Sequence, residues 1–229
     1  MNMKNYKFFT CLSLLVFLFN CHSYSSYKTA KVLGLNSSGK PQVQFIAGTE
    51  LVDDSGTDGF DINPVFMLTI PLAPNRLDLT IIGSPSFFGV SFRGQLLKGR
   101  HSMAVDFGGV FSGSSTFSGS SSFYEFNLSL LNTIDITPVF SMTLAPRFII
   151  LGEKSTQDQY GLNPYSRKSY IYGIVLTLDI GKSFGVLPEF TYNYNSTKDE
   201  HITTVGLGVR FGGYVQYKSV DSDQSDISN

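Results

Sequence analysis

The chain has 229 residues, a net charge of −1, 15% charged residues, 14% aromatic residues and no tryptophan. A near-neutral chain offers no electrostatic case for nucleic acid. Its length suits one domain behind a short N-terminal segment.

Lys4 and Lys7 precede an uncharged apolar run at residues 8–19. That run is about a dozen residues against the ~20 a spanning helix needs, so residues 1–20 read as a secretory signal peptide. The run ends in Leu18-Phe19-Asn20-Cys21, which resembles a lipoprotein signal. The resemblance implies that Cys21 becomes an acylated N-terminus. Asn20 stands where such signals carry a small residue, so ordinary cleavage, for example after Ser23, is the alternative. The only other cysteine, Cys11, lies in the removed segment. The mature chain then has no internal disulfide and no Cys-based metal site. Residues 21–40 read as a linker, with 29–35 open to a short strand.

From residue 41 the dominant period is two. Met103, Val105, Phe107 and Phe111 share one parity; Ala104, Asp106 and Gly108 share the other. Tyr124, Phe126, Leu128 and Leu130 alternate with Glu125, Asn127 and Ser129, and Phe140, Met142, Leu144 and Phe148 with Ser141, Thr143, Ala145 and Arg147. Helical spacing does not generate this pattern; half-buried strands do. The expected spans are 41–51, 60–72, 76–82, 86–97, 101–112, 122–133, 137–151, 168–181, 185–195 and 202–214. Most reach the ~9–11 residues of a tilted membrane-spanning strand. The third is short, and without it eight strands remain.

Connectors alternate in length. Tight ones fall at residues 73–75, 98–100, around Asp135 and at 181–183. Longer polar ones fall at 52–59, 112–122, 152–167 and 195–201, and a compact break at 83–85 belongs with them. This is the pattern of an antiparallel up-and-down transmembrane β-barrel with short turns at one end. The connector at 112–122 holds a repeated Phe-Ser-Gly-Ser-Ser and reads as a flexible loop. Residues 215–229 read as a disordered polar tail.

The two faces differ. One is apolar and, beside the long connectors, carries Phe88, Phe111, Tyr124, Phe148, Tyr170, Tyr172, Tyr192 and Tyr194, as an interfacial girdle does. Its ends beside the tight turns carry mainly Leu72, Leu96, Ile180 and Val186. The other face carries Glu50, Arg76, Asp78, Arg93, Asp106, Glu125, Arg147, Asp179, Glu189 and Arg210. Buried ions need partners, so these ten are expected to form a charge network filling a narrow lumen. The last strand, Thr204-Val205-Gly206-Leu207-Gly208-Val209-Arg210-Phe211, resembles the C-terminal signal of small bacterial outer-membrane β-barrel proteins, matched at Thr204, Gly206, Val209 and Phe211. The resemblance implies outer-membrane lipid and the barrel-assembly machinery as partners.

Sites of standard chemistry are absent: no metal-ligand spacing, phosphate-binding loop, nucleophile elbow or cofactor motif is found. Asp53, Asp54, Asp58 and Asp61 lack the spacing of a calcium loop. His201, with Asp199, Glu200, Thr203 or Thr204, is the one group with a base near other reactive side chains. Three readings follow: a non-enzymatic barrel with a structural, surface-interaction or narrow-channel role; a rim enzyme acting on lipid A or surface peptides; and a soluble lipid-anchored barrel holding an apolar ligand. The long connector with Tyr160 and Tyr165 is the first place to seek a surface contact, and its ligand is unknown.

Overall fold

The structure, a computed structural model, describes residues 42–51, 63–73, 76–84, 87–116, 119–156, 165–181 and 183–212. The expected signal peptide, Cys21, the linker, the acidic stretch from Asp53 to Asp61, Tyr160 and the polar tail lie outside the described residues. Ten strands follow one another: β1 (Gln42–Leu51), β2 (Asn63–Ala73), β3 (Leu77–Gly83), β4 (Phe88–Leu97), β5 (His101–Thr116), β6 (Gly119–Thr137), β7 (Phe140–Ser155), β8 (Tyr165–Gly181), β9 (Phe184–Asn195) and β10 (Glu200–Gly212). Each pairs antiparallel with its chain neighbours, and β1 pairs with β10 to close the barrel. The short β3 is a full member of the ring, so the strand number is ten and not eight.

The ring closes with a stagger. From Phe140 the cross-strand partners run through Ile180, Val186, Val209, Phe45, Phe66, Gly83, Phe88, Phe111 and Tyr124 and return to β7 at Gly152, 12 residues further along the strand. Such a stagger on ten strands corresponds to a tilt of ~40°, inside the usual range for closed barrels. Apart from two glycines, every residue on this spiral is apolar or aromatic.

One end has tight turns. Arg76 N–H donates to Ala73 O at 2.9 Å between β2 and β3. Gly99 and Gly181 hold φ of 141° and 136° in the next turns, values that favour glycine. The turn expected at Asp135 lies instead at Pro138-Val139, because β6 runs on to Thr137. Proline cannot donate to the ladder and ends it there.

The other end differs from expectation in three places. The Gly/Ser connector is paired over its described residues: β5 and β6 continue from Ser112↔Phe123 to Thr116↔Gly119. Small side chains do not oppose pairing, so the ladder propagates once the flanking residues set its register. The two ends of the 152–167 connector are strand as well, with β7 and β8 paired as far as Ser155↔Tyr165; residues 157–164 lie outside the described residues. The 195–201 connector tightens to a four-residue turn, Ser196 to Asp199, where Asn195 Oδ1 accepts from Thr197 N–H at 3.1 Å. The wall is therefore uneven. Strands β5 to β8 have 16 to 19 residues, and β3 has 7.

Candidate functional site

Alternation gives the barrel an inside and an outside of opposite character. Asp78, Arg93, Asp106, Glu125, Arg147, Asp179, Glu189 and Arg210 face inward, each at 6% exposure or less. Phe107, Phe126, Leu128, Leu144, Ile174, Phe190 and Leu207 face outward at 40% to 58%. Two of the ten ionic positions fall outside this set. Arg76 is exposed in the β2–β3 turn, where its carbonyl accepts from Gln95 N–H at 2.8 Å. A register shift between Pro71 and Ala73 interrupts the alternation just before it. The backbone of Glu50 pairs with Thr204; its side chain lies outside the described residues.

The inward ions occupy definite rows. Asp78, Arg93 and Asp106 are direct partners across β3, β4 and β5. Arg93 Nε lies 3.5 Å from Asp106 Oδ2, which also accepts from Ser91 Oγ at 3.4 Å. The row continues through Ser129, Arg147, Gly173 and Asn193. Arg147 Nε donates to Asn193 Oδ1 at 3.0 Å, and the carboxylates of Glu125 and Glu189 act on it electrostatically. Glu189 accepts from Thr177 Oγ1 at 3.0 Å. Nearer the turns, Arg210 Nη2 donates to Asp179 Oδ1 at 3.0 Å and Nη1 donates to Gly212 O at 2.6 Å. Neighbouring opposite charges offset the desolvation each ion suffers inside.

Two glycines make room for these arginines. Gly173 is the cross-strand partner of Arg147, and a Cβ there would collide with Asn193 Oδ1. Gly185 is the partner of Arg210, and a Cβ there would lie 2.7 Å from both Arg210 Nη2 and Asp179 Oδ1.

Besides the ions and small residues expected there, the interior holds buried apolar clusters. Val65, Met67, Ile82, Phe87, Val110 and Leu187 form one buried apolar cluster, and Ile149, Leu151, Ile171 and Ile202 another; Phe123 packs against both. Ala104, Leu131, Ala145 and Val175 form a third. A signal for part of this stood in the chain: residues 148–151, Phe-Ile-Ile-Leu, are apolar at both parities. No comparable signal marks Phe87, which lies just outside a strand and is buried among residues of β2, β3, β5 and β9.

The outer surface is graded along the barrel. The six described tyrosines, Tyr124, Tyr165, Tyr170, Tyr172, Tyr192 and Tyr194, all lie toward the loop end. The turn end carries exposed Leu72, Leu96, Ile134 and Ile180 together with Phe184 and Phe211. These last two, stacked edge-on at 5.3 Å, make the turn end more aromatic than expected. Beyond them Arg76, Lys98 and Arg100 are exposed at the turns. At the loop end His201 Nδ1 lies 2.6 Å from Tyr192 Oη, and its ring is 4.9 Å from that of Tyr194. Tyr194 Oη donates to Asp199 Oδ1 at 3.1 Å. Thr204 is buried on the inner face. The fold thus sets the imidazole among phenols on the outer face, apart from the Thr204 hydroxyl.

No protein-family model matches the chain, and no curated protein matches it by sequence. Its fold is similar to that of small bacterial outer-membrane barrels. The attachment invasion locus protein Ail of Yersinia pestis, solved with the heparin analogue sucrose octasulfate, aligns at 13% identity and TM-score 0.43 over 75% of this chain and 96% of Ail. Neisserial surface protein A aligns at 13% and 0.38 over 76% and 96%. The outer membrane protease OmpT of Escherichia coli aligns at 10% and 0.41 over 76% and 94%. The likeness is one of barrel form, and no residue role is carried across.

The four residues of the C-terminal motif all lie on β10 but divide between its faces. Thr204 is buried inside, and Gly206 shares its parity. Val209 and Phe211 have the outward parity.

Proposed function

We propose that the barrel is an integral outer-membrane protein with a non-enzymatic, structural or surface-interaction role. One observation carries this reading: a closed ring of strands turns apolar side chains outward and pairs its ions inside. In water that surface would be an aggregation liability, whereas in a bilayer a closed barrel satisfies every backbone group. The dimensions agree. From Ile180 to Tyr170 along β8 the outer face advances ~25 Å along the barrel axis, at ~3.3 Å per residue and ~40° tilt. That is the height of the apolar band expected for such barrels. Tyrosines close the band at one end and tight turns at the other; short turns take the periplasmic side in such barrels, with the loop end at the cell surface. Delivery falls to the barrel-assembly machinery through the Thr204, Gly206, Val209 and Phe211 motif, and Cys21 adds a lipid anchor on the turn side, where β1 begins.

The interior argues against a solute channel, because three apolar clusters interrupt the polar lining. The Nδ1 of His201 is taken up by Tyr192 Oη and the Thr204 hydroxyl of the candidate group lies on the opposite face; both weigh against a rim enzyme. The test is migration of unboiled protein in SDS gels together with carbonate or urea extraction. A heat-modifiable band that stays with the membrane is expected; release into the supernatant sinks the reading. His201→Ala is expected to leave envelope lipids unchanged, and altered lipid A or surface-peptide processing would restore the enzyme.

A further inference from the structure

The tall side of the barrel carries a basic patch that the membrane-spanning role does not require. Along the outer face of β8, Tyr172 and Tyr170 are followed by Lys168, one outward position beyond the girdle. On β7 the matching outward positions are Ile150, Gly152 and Lys154. Both lysines are exposed. Lys168 pairs with Gly152 and Lys154 with Ser166, so the two lysines are diagonal neighbours on one face, ~7–8 Å apart. Gly152, opposite Lys168 and one outward position before Lys154, serves as a seat. Tyr124 is its partner on β6, and a Cβ on Gly152 would collide with the Tyr124 ring. The missing side chain lets that ring lie across β7 towards Lys168. Among the described residues neither lysine takes part in an ion pair, whereas Lys198 is 3.9 Å from Glu153.

We propose that Lys154 and Lys168, with the Tyr124 ring beside them over Gly152, bind the phosphate groups of lipid in the outer leaflet. The proposal rests on the membrane-spanning reading, which puts the patch at headgroup depth just outside the tyrosine girdle. Two point charges spaced across one face suit a phosphorylated headgroup. The patch lies on the outer wall, so its ligand comes from the surrounding leaflet. Only the walls that rise beyond the girdle can present such a patch, and β3, with 7 residues, does not. Each lysine near an anionic lipid surface strengthens association about fivefold.

The test uses the mature chain in phosphatidylcholine nanodiscs containing diphosphorylated lipid A or its dephosphorylated form, with retained lipid counted by native mass spectrometry. Preferential retention of the phosphorylated form is expected. K154Q/K168Q should lower that preference roughly 25-fold, while Lys198→Gln keeps it. Inorganic phosphate added to the solution should not compete at concentrations comparable to the lipid. Equal retention of both lipids, a preference that survives K154Q/K168Q, or competition by inorganic phosphate overturns the proposal. Heat-modifiable migration of the same samples separates the two readings: loss of the folded band in the wild-type chain overturns membrane spanning as well, and a retained band confines the failure to the phosphate site.

Discussion

At the scale of residues, the interior ions stay because each has a partner and a space. Arg210 at 0% and Asp179 at 3% exposure are the clearest pair. Removing one member leaves the other charge buried, so Arg210→Met is expected to cost ~3–5 kcal/mol, while replacing both with apolar residues of similar volume comes close to neutral. Urea midpoints of the refolded barrel in detergent would check both, and a single variant as stable as the double one would contradict the pairing. The glycine seats make a second prediction. Gly185→Ala forces Arg210 and Asp179 to shift, and a cost of ~1–3 kcal/mol is expected from overpacking. Gly83→Ala, where a Cβ meets nothing within 4 Å, serves as the control.

At the scale of elements, the long hairpins extend well past what a bilayer needs. A tilted strand crosses with ~9–11 residues, while β6 has 19. The excess lies at the loop end, where β5 and β6 pair serine with serine. This part lies beyond the length that crosses the membrane, and loop closure costs change slowly with length. Deleting residues 114–121 is therefore expected to keep the heat-modifiable band, with stability unchanged to ~1 kcal/mol. Loss of the folded band would mean that the projecting hairpin nucleates the barrel. The short β3 limits the opposite wall, and its ladder to β2 ends in the register shift that places Arg76 outside.

At the scale of the whole molecule, inside-out polarity separates a membrane barrel from a soluble one. Leu207 is 58% exposed in the middle of β10. An arginine at mid-membrane on the lipid face costs ~2–4 kcal/mol, so Leu207→Arg should destabilise the barrel in bilayers by that amount. Ser183→Arg, at an exposed turn position, should have almost no effect. Refolding titrations in phospholipid vesicles make the comparison, and equal stability of the two variants would mean that the Leu207 face meets water.

The alternation of period two determined that the chain forms paired strands and which parity holds the ions, because side chains on a strand point to opposite faces whatever the neighbours are; whether β3 joins the ring, and so ten strands or eight, it left open. It placed Asp78, Arg93, Asp106, Glu125, Arg147, Asp179, Glu189 and Arg210 on one face without any coordinates. Tertiary structure alone decided the rest. The stagger from Phe140 to Gly152, the uneven wall, the seating of Arg147 on Gly173 and the meeting of Phe123 with two apolar clusters all depend on register between strands remote in sequence. Register is set by closure of the ring as a whole. A local pattern records which face a residue takes but carries no record of which residue it meets there.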